Sequence, residues 1–447
     1  MTVSQRTGLP ARGCPPRMEN YDAAYREYAP SVPARYNPVV DIVERLADTA
    51  PDYHALVSVG PDGETFDTQT AADLAANVRR AARALLRLGV GKGDSIFLML
   101  PRCPEWYFAL LGAMRIGAVP MPAPNMLTPK DIAYRIARGG ARFAITDESG
   151  AEKIDAIAGD VPGLATRILV SGGWASGSST SGGMASSGKG RVGWSDFASL
   201  LGASDDAALP ADPTASDDPL LIFFTSGTVS MPKMVLHRQG YALGHVATAR
   251  FWHDLREGDR HWTVSDTGWA KAAWGGLFGQ WHERATVIQV ALGKPDPDLI
   301  LDIIAKQHIT SFCAPPTLYR QLVLADLKAH DLSALRHCTS AGEPLNPEVI
   351  RAWREGTGGL TIYDGYGQSE TSLLVGNYRA VAVRPGSMGK PTPGYAVDIV
   401  DDDGAICPHD APGAIAVRTD PPPVGLFSHY PGEDDATTER FRGGWYL

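Results

Sequence analysis

The sequence has few cysteines, no excess of positive charge and no long apolar run, and each shortage excludes a class of protein. Its five cysteines are scattered among 447 residues without a pair at zinc spacing, so neither a disulfide framework nor a structural zinc site is expected. A formal net charge of -9 argues against an obligate nucleic-acid-binding protein, because phosphate backbones require a basic surface. No apolar run approaches the ~20 residues of a membrane span, and residues 1–17 do not resemble a signal peptide. We therefore expect a cytoplasmic protein with no nucleic acid and no membrane span among its interactions.

Apolar runs, helical stretches and turns along the chain predict an α/β protein built from several units. Residues 1–35 have little to bury and are expected to form a flexible N-terminal arm. A first α/β subdomain is expected over residues 36–215, a second over 216–383 and a small β subdomain over 384–447. The Gly/Ser-rich tract at 171–190 cannot bury enough apolar surface to order itself, so we interpret it as a surface loop and not as a phosphate site.

The predicted helices and strands alternate as βαβ units do. The predicted helices are Ala71–Gly89, Glu105–Arg115 and Pro297–Lys306. The predicted strands of this α/β part are Asp94–Leu100, Ile116–Val119, Leu220–Phe224, Ser311–Ala314 and Thr361–Tyr363. Two later runs, Ala396–Val400 and Ala414–Arg418, are separated by turns and indicate a small antiparallel sheet or barrel.

The segment LIFFTSGTVSMPKMV, Leu221–Val235, has the pattern of a buried strand that runs into an anion-binding loop. After the apolar run, small and hydroxyl residues let backbone amides approach a phosphate closely. Lys233 at the far end supplies the positive charge that a polyphosphate requires. The P-loop pattern GxxxxGK[ST] is absent, and the same residues would also suit a Ser/Thr turn with a solvated lysine.

Two further loops, Ser340–Pro344 and Asp364–Thr371, follow strand-like runs. Active-site loops of open parallel sheets lie at the carboxyl ends of strands, so both are expected near the phosphate-binding segment. Tyr366 stands between two glycines and offers a flat face to a base. The carboxylate of Glu370 is suited to hold Mg²⁺ between phosphate oxygens. His237 follows the phosphate-binding segment and is expected to be a core residue, although its position makes a role in the site an alternative.

Together, the three loops resemble the acyl-adenylate-forming (AMP-binding) superfamily, and within it the medium-chain acyl-CoA synthetases. Met234 follows the phosphate loop where other branches have glycine, and the segments Ser265–Trp269, Cys313–Tyr319 and Ser340–Pro347 fit the same group. The resemblance runs from about residue 40 to the end of the chain. It implies two helix-flanked, mostly parallel sheets in a layered large domain, and a small, distorted antiparallel β-barrel.

The resemblance also implies roles for particular residues in binding ATP, Mg²⁺, CoA and a carboxylic acid. Lys233, Ser369 and Glu370 are the expected catalytic residues, with Glu370 as the metal ligand and the ring of Tyr366 stacked on the adenine. The expected ATP-binding residues are Thr225, Ser226, Gly227, Thr228, Val229, Ser230, Met231, Pro232, Lys233, Gly342, Glu343, Pro344, Asp364, Gly365, Tyr366, Gly367, Gln368 and Ser369. The expected acyl pocket consists of Trp269, Ala273, Trp274 and Gly367, beside Lys271, and Asn125 is expected to contact CoA.

The implied activity is the ATP-dependent conversion of a medium-chain, branched or aromatic carboxylic acid to its acyl-AMP, followed by transfer to CoA with release of AMP and pyrophosphate. Val229 and Ser230 depart from the usual phosphate loop but are not expected to abolish nucleotide binding. In the family the run at Leu447 continues into a lid domain, so we expect this chain to represent the large domain and to turn over slowly. Two alternatives stay open: delivery of the acyl group to a carrier protein or an amine, and a lidless, catalytically silent nucleotide- or acyl-binding protein. The oligomeric state, including a homodimer, is open as well.

Overall fold

The computed structural model describes residues 8–172, 190–211, 214–225 and 231–447. Nearly all of the expected surface loop at 171–190, and residues 226–230 of the expected phosphate loop, lie outside these ranges. The strands in chain order are β1 His54–Val59, β2 Phe66–Thr70, β3 Ser95–Met99, β4 Val119–Pro122, β5 Phe143–Thr146, β6 Thr166–Leu169, β7 Ser195–Asp196, β8 Pro219–Phe224, β9 Met234–Arg238, β10 Arg260–Thr263, β11 Thr286–Val290, β12 Ser311–Ala314, β13 His337–Ala341, β14 Ile362–Gly367, β15 Leu373–Gly376, β16 Lys390–Pro391, β17 Val397–Val400, β18 Ala414–Arg418, β19 Phe441–Arg442 and β20 Trp445–Tyr446.

Helices alternate with the strands over most of the chain. The α-helices in chain order are α1 Tyr21–Glu27, α2 Arg45–Thr49, α3 Ala71–Arg87, α4 Pro104–Arg115, α5 Pro129–Arg138, α6 Glu148–Asp155, α7 Phe197–Gly202, α8 Tyr241–Ala247, α9 Ala270–Gly276, α10 Phe278–His282, α11 Pro297–Lys306, α12 Pro316–Leu322, α13 Pro347–Gly356 and α14 Asp434–Arg440. Two π-helical turns, Val39–Glu44 and Thr248–Trp252, and one 3₁₀ turn, Leu327–Ala329, complete the helical elements of the described residues. Each helix in this part of the chain is too short or too polar to traverse a bilayer.

The largest sheet has nine strands in the order β16-β15-β14-β13-β12-β10-β11-β1-β2. The strands from β14 to β1 run parallel, and antiparallel strands flank them on both sides. β1 and β2 come from the segment expected to form the first subdomain, so this sheet draws on both of the expected α/β subdomains. Because parallel strands are joined by crossover helices, the loops at their carboxyl ends meet along one edge of the sheet.

A second sheet has five parallel strands in the order β4-β3-β5-β6-β7. Helices α3 and α4 pack closely on each other beside it, since a Cβ on Gly112 would lie 2.8 Å from Cβ of Ala81. The strand predicted at Ile116–Val119 begins only at Val119, because the chain first turns at Gly117 with a φ of +73°. Two mostly parallel sheets flanked by helices confirm the predicted α/β architecture.

The small β unit is an antiparallel sheet in the order β17-β18-β20-β19. The predicted β-barrel is wrong: residues 384–447 are all described, and in this sheet β17 and β19 are the two edges and do not pair with each other. The physical reason is size, because the described sheet has four strands and a barrel requires enough tilted strands to close on itself.

Local sequence signals explain where the main helices begin and end. Thr70 and Asp73 form a reciprocal capping box at the start of α3, which satisfies two backbone N–H groups that the helix leaves without partners. The helix ends at Arg87, and Gly89 then adopts a left-handed φ of +83° that a residue with a side chain rarely takes. The prediction of this helix from its apolar spacing is therefore confirmed.

A buried ion network lies at the amino ends of strands β10 and β13 of the large sheet. Arg336 Nη1 donates to Asp254 Oδ2 at 2.7 Å and the same guanidinium contacts Asp259, with all three side chains at most 1% exposed. The N-terminal segment, which was expected to be flexible, contacts this network, since the N–H of Arg17 donates to Asp254 Oδ1 at 2.6 Å. Arg379 also belongs to the network, because its Nη1 donates a hydrogen bond of 2.7 Å to Asp254 Oδ2.

Candidate active site

Strands β8 and β9 form an antiparallel hairpin that holds both ends of the expected phosphate loop. The N–H of Thr225 donates to the carbonyl of Lys233 at 3.0 Å, and the N–H of Lys233 donates to Thr225 Oγ1 at 3.0 Å. The carbonyl of Pro232 accepts a hydrogen bond of 3.0 Å from the hydroxyl of Tyr134. The five residues between the two ends, at 226–230, lie outside the described ranges, so their contacts with phosphate stay a prediction.

Lys233 is connected to the expected metal ligand through one aromatic ring. Its Nζ lies 5.2 Å from the centroid of the Tyr430 ring, which is within the range of a cation–π contact. The hydroxyl of Tyr430 donates to Glu370 Oε1 at 2.7 Å, and the N–H of Phe427 donates to the Glu370 carbonyl at 2.7 Å. Two of the expected catalytic residues therefore lie on either side of one tyrosine, whereas Met231 next to the loop is exposed to solvent.

The Asp364–Gly367 segment was predicted as a loop after a strand that ends at Tyr363, but it forms the second half of β14. Pairing with the antiparallel strand β15 extends β14 to Gly367. A side chain at Gly367 would not fit, because its Cβ would lie 2.4 Å from Cη2 of Trp274. Gly365 is limited in the same way, since its Cβ would lie 2.8 Å from the ring of Trp252. The glycines let the strand pass closely beneath two buried indoles.

Gln368 links the expected adenine-stacking ring to the small β-sheet. Its Nε2 donates to the hydroxyl oxygen of Tyr366 at 2.9 Å. Its Oε1 accepts a hydrogen bond of 2.6 Å from the hydroxyl of Tyr446 on β20, and its N–H donates to Thr371 Oγ1 at 3.0 Å. The orientation of the Tyr366 ring is therefore set by a relay of two side-chain hydrogen bonds.

His237 is a buried core residue, as expected, and it also contacts the candidate active site. The imidazole is fully buried, and burial lowers its pKa to about 3, so the ring is neutral at physiological pH. Its Nε2 lies 2.8 Å from the carbonyl oxygen of Ser369; because a carbonyl only accepts, Nε2 carries the proton. The ring also stacks on Tyr241 at a centroid distance of 3.7 Å. His237 thus holds the backbone of the third expected catalytic residue.

One carboxyl and one ammonium group in the site have shifted pKa values. Burial raises the pKa of Asp364 to about 6, although the N–H of Gly365 and the charge of Lys271 act in the opposite direction. Burial lowers the pKa of Lys271, whose Nζ donates to the carbonyl of Ala341 at 2.9 Å. A buried cation therefore lies at the carboxyl end of β13, close to β14.

The remaining expected loop was predicted at Ser340–Pro344, but Ser340 and Ala341 are the last two residues of β13, and the exposed loop begins at Gly342. Gly342 has a φ of +107°, a conformation that favours glycine. The carboxylate of Glu343 accepts hydrogen bonds from Thr317 at 3.2 Å and Arg320 at 3.1 Å. The structure thus places Gly342, Glu343 and Pro344 at the expected edge, and their contact with adenine and ribose stays a prediction.

The expected acyl-pocket residues gather around the start of α9. Trp269 is half-buried and precedes the first residue of the helix, whereas Ala273 and Trp274 are buried. The ring of Trp274 lies against Gly367 on β14, so these two residues form a wall beside the adenylate loops, and the contribution of Trp269 and Ala273 to the pocket stays a prediction.

Asn125 lies next to this wall. Its Nδ2 donates to the carbonyl of Leu100 at 3.0 Å, and its own carbonyl accepts a hydrogen bond of 2.9 Å from Lys153. The neighbouring Pro124 is so close to the acyl-pocket segment that a Cβ on Gly268 would lie 2.0 Å from its nitrogen. The expected CoA residue and the expected acyl pocket are therefore adjacent, and the CoA contact itself stays a prediction.

Glu370 fits the requirements of a magnesium ligand. Its side chain is nearly buried, and Tyr430 occupies Oε1 while Oε2 makes no hydrogen bond to the described residues. Mg²⁺ usually binds one or two protein carboxylates together with substrate phosphates and water. In the described part of the chain no cluster of three or more His, Cys, Asp or Glu side chains could enclose a metal, so a phosphate-bridged ion on one carboxylate is the arrangement these residues suit.

Sequence reasoning missed Tyr430 and Tyr446. Both tyrosines lie in the small β unit, and they contact residues that are 60 and 78 positions away in the chain. No local pattern links them to the loops. The only signal was the density of aromatic residues near the end of the chain, which by itself indicates packing more often than function.

Comparison with known proteins agrees with this geometry. The family model described as AMP-binding enzyme matches residues 43–430. A mouse protein, the mitochondrial acyl-coenzyme A synthetase ACSM3, is 35% identical over 441 residues, which cover 97% of this chain and 73% of the mouse protein. These matches confirm the expected resemblance to the acyl-CoA synthetases of the AMP-binding superfamily.

Two solved structures are similar over almost the whole chain. The acyl-CoA synthetase of Brucella canis has a TM-score of 0.83 at 28% identity, covering 96% of this chain and 76% of its own. The anthranilate CoA ligase AuaEII, solved in complex with anthranoyl-AMP, has a TM-score of 0.82 at 26% identity, covering 93% of this chain and 75% of its own.

The comparison corrects one prediction. The expected cytoplasmic location is contradicted, because the curated relatives from mouse and human are mitochondrial acyl-coenzyme A synthetases. The absence of a recognisable signal in residues 1–17 was a poor basis for that prediction, since location is read from targeting signals and not from the fold. The match over most of the chain and the arrangement of the three loops lead to one conclusion: the chain belongs to the AMP-binding enzyme family.

Proposed function

We propose that this protein activates a medium-chain, branched or aromatic carboxylic acid with ATP to form an acyl-AMP, and then transfers the acyl group to CoA. The carrying observation is that Lys233, the Asp364–Glu370 segment and Trp274 are joined by direct contacts, with Tyr430 between Lys233 and Glu370 and with Trp274 against Gly367. Phosphate-binding, base-stacking and acyl-binding groups are thereby adjacent. The acyl-CoA synthetases among the relatives support the same reaction class.

The first step requires charge neutralisation more than a general base. A carboxylate oxygen of the acid attacks the α-phosphorus of ATP, the new C–O–P link forms, and the bond to pyrophosphate breaks. Such a transfer depends on in-line positioning and on electrostatic stabilisation of the phosphates. Lys233 and the buried Lys271 supply positive charge on this side of the sheet. His237 is neutral and already donates its proton to Ser369, so we assign it a positioning role.

Glu370 is the proposed ligand of a magnesium ion, which when bound would neutralise negative charge on the phosphate oxygens. Tyr430 holds Oε1 of Glu370, so Oε2 is the oxygen that faces the ligand in this proposal. In the second step the CoA thiolate attacks the acyl carbon, the C–S bond forms, and AMP leaves with the electron pair of the C–O bond. Asn125 beside the acyl wall is the proposed CoA contact.

The proposal is tested by calorimetric titration with octanoyl-, butyryl- and anthraniloyl-sulfamoyl adenosine, which are stable mimics of the acyl-AMP. We expect binding of at least one analogue, and the tightest of the three reports the acyl class. Tyr366→Ala removes the stacking ring and is expected to weaken binding by roughly 10-fold or more, as for a base–aromatic stack worth about 1–3 kcal/mol. The matched variant Tyr366→Phe keeps the ring and should bind within about 3-fold of wild type.

Binding that is unaffected by Tyr366→Ala, or no binding of any analogue to the folded protein, would contradict the proposed site. The acceptor is tested separately by supplying CoA, a carrier protein or an amine after the acyl-AMP has formed, and the proposal requires thioester formation with CoA. The relatives are longer than this chain, which covers 73% of the mouse protein. The expected slow turnover of these 447 residues alone therefore stays a prediction, tested by comparing them with the full-length protein.

A further inference from the structure

A small cavity lies beside α9. Its volume is about 30 Å³, and its wall includes Arg102, Trp106, Tyr107 and the glycine pair Gly275 and Gly276. On α9, Lys271 and Trp274 contact Ala341 and Gly367 of the proposed active site, whereas Gly275 and Gly276 of the same helix line the cavity. The cavity and the adenylate loops therefore border the same short helix.

Arg102 brings a positive charge to this cavity without a matching carboxylate. Its Nε donates to the carbonyl of Ser265 at 2.7 Å and its Nη1 to that of Leu292 at 3.4 Å. These two bonds fasten one edge of the guanidinium and leave Nη2 without a hydrogen bond in the described chain. Burial lowers the pKa of Arg102, and the charge of Asp266 acts in the opposite direction. Asp266 nevertheless forms no ion pair with Arg102 in the described chain. A guanidinium remains charged in a protein, so the cavity wall is cationic.

A second hydrogen-bond donor of the wall is the hydroxyl of Tyr107. It makes no hydrogen bond within the described chain, and desolvation raises its pKa, so it stays protonated and able to donate. Nε1 of Trp106 has no partner either, but it is too deeply buried to face the cavity. The guanidinium and the hydroxyl are thus two donors in a wall with a positive charge, and a negatively charged acceptor suits both.

The size and the lining of the cavity limit which negatively charged groups could bind there. None of the residues that line it is an aspartate or a glutamate. A volume of about 30 Å³ is room for two or three water-sized atoms, since one water needs roughly 10–15 Å³ on this measure. That matches the two oxygens of a carboxylate, which a guanidinium recognises well, and is too little for a nucleotide.

The glycine pair keeps this space open. A Cβ on Gly276 would lie 3.3 Å from the hydroxyl oxygen of Tyr107, and one on Gly275 would collide with Thr263. We propose that the Arg102 cavity is a binding site for a small carboxylate group, held by Arg102 and Tyr107. The carboxylate belongs either to a free short acid or to the far end of a dicarboxylic acid whose other end is activated in the adenylation site. The second source rests on the proposed function, whereas the first does not.

Binding of ¹³C-formate to the intact protein, followed by NMR line broadening, tests the site. Octanoyl-sulfamoyl adenosine is added at saturation so that formate cannot report on the adenylation pocket. We expect binding in the wild type, about 10-fold weaker binding in Arg102→Gln, as for loss of a charge-assisted hydrogen bond, and a comparable loss in Gly276→Ala, which keeps the charge but adds a methyl group beside Tyr107. Arg351→Gln removes a positive charge from an exposed arginine and should bind as wild type.

The source of the carboxylate is decided by ATP–pyrophosphate exchange with matched acids, glutarate against pentanoate and adipate against hexanoate. A preference for the diacid that disappears in Arg102→Gln assigns the cavity to the far end of the substrate. Formate binding without such a preference assigns it to a free short acid. The proposal is overturned if formate does not bind the wild type, or if it binds equally well to folded Arg102→Gln and Gly276→Ala proteins. Failure of the sulfamoyl adenosine to bind would contradict only the proposed function, because the loss of formate binding in Arg102→Gln and Gly276→Ala still identifies the cavity.

Discussion

The hydroxyl of Tyr430 donates a hydrogen bond of 2.7 Å to Oε1 of Glu370, although the two residues are 60 positions apart in the chain. Burial and the neighbouring carboxylate both raise the pKa of Tyr430, so the hydroxyl keeps its proton and acts as the donor. One carboxylate oxygen is therefore fixed by the small β unit, and the other is left for a ligand. The same tyrosine ring receives the ammonium of Lys233, so Tyr430 connects the phosphate hairpin with the proposed metal ligand.

Tyr430→Phe removes this hydrogen bond and keeps the ring. We expect the concentration of Mg²⁺ that gives half-maximal ATP–pyrophosphate exchange to rise about 3- to 10-fold, because an unheld carboxylate loses the roughly 1 kcal/mol of orientation that one hydrogen bond supplies. Direct binding of Mn²⁺ in the presence of ATP, followed by electron paramagnetic resonance, should weaken by the same factor. Tyr25→Phe loses a hydrogen bond to the Tyr395 carbonyl and serves as the control; equal metal affinities in the two variants would remove the assigned role of Tyr430.

The relay from Tyr446 through Gln368 to Tyr366 predicts coupling between the small sheet and the nucleotide site. Tyr446→Phe frees Oε1 of Gln368, and we expect the KM for ATP to rise about 3-fold with a smaller change in kcat. In a double-mutant cycle, Tyr446→Phe and Tyr366→Phe should deviate from additivity by about 0.5–1.5 kcal/mol, because both act on one glutamine side chain. Purely additive effects on ATP affinity would show that the relay does not orient the ring.

The partly buried carboxyl of Asp364 predicts a pH-dependent stability. Its folded-state pKa of about 6 lies above the 3.8 of an ordinary aspartate, so the folded protein binds this proton more tightly than the unfolded chain does. The resulting stabilisation is fully present below about pH 4 and is lost as the pH rises through about 6. Asp364→Asn should therefore raise the melting temperature at pH 7.5 and leave it nearly unchanged at pH 4. The gain is about 1–2 kcal/mol, reduced by the partial exposure of the carboxyl, and a scan that shows the same difference at both pH values would contradict it.

The buried ion network predicts an unequal effect of two arginine substitutions on stability. Arg336 is fully buried and bonds Asp254 and Asp259, so Arg336→Met leaves two buried carboxylates without their main partner and should cost about 3–5 kcal/mol. Arg351 pairs with Glu348 on an exposed helix face, and Arg351→Met should cost less than about 0.5 kcal/mol. Urea unfolding followed by circular dichroism measures both, and similar midpoints for the two variants would mean that the network does not stabilise the fold.

Local patterns in the sequence predicted the helices and strands that have a clear period. Helix α11 at Pro297–Lys306 and strands β12 and β18 occur at the predicted residues, because apolar spacing and flanking turn residues act within one element. The prediction was less accurate where an element depends on its neighbours. β14 continues past Tyr363 only because β15 folds back against it, and the expected barrel is an open sheet because four strands are too few to close on themselves.

The residues of the candidate site likewise fall into those that the sequence identified and those that only the structure brought together. The sequence by itself determined the family and the α/β class, and it singled out the segments around Lys233, Gly342 and Tyr366, because these depend on short motifs whose residue types and order are visible in the chain. Only the tertiary structure decided that Tyr430 holds Glu370, that Tyr446 reaches Tyr366 through Gln368 and that Arg102 faces a cavity without a carboxylate. The physical reason is that such contacts act over a few ångströms in space between residues that are far apart in the chain, so that folding, and not any local pattern, brings them together.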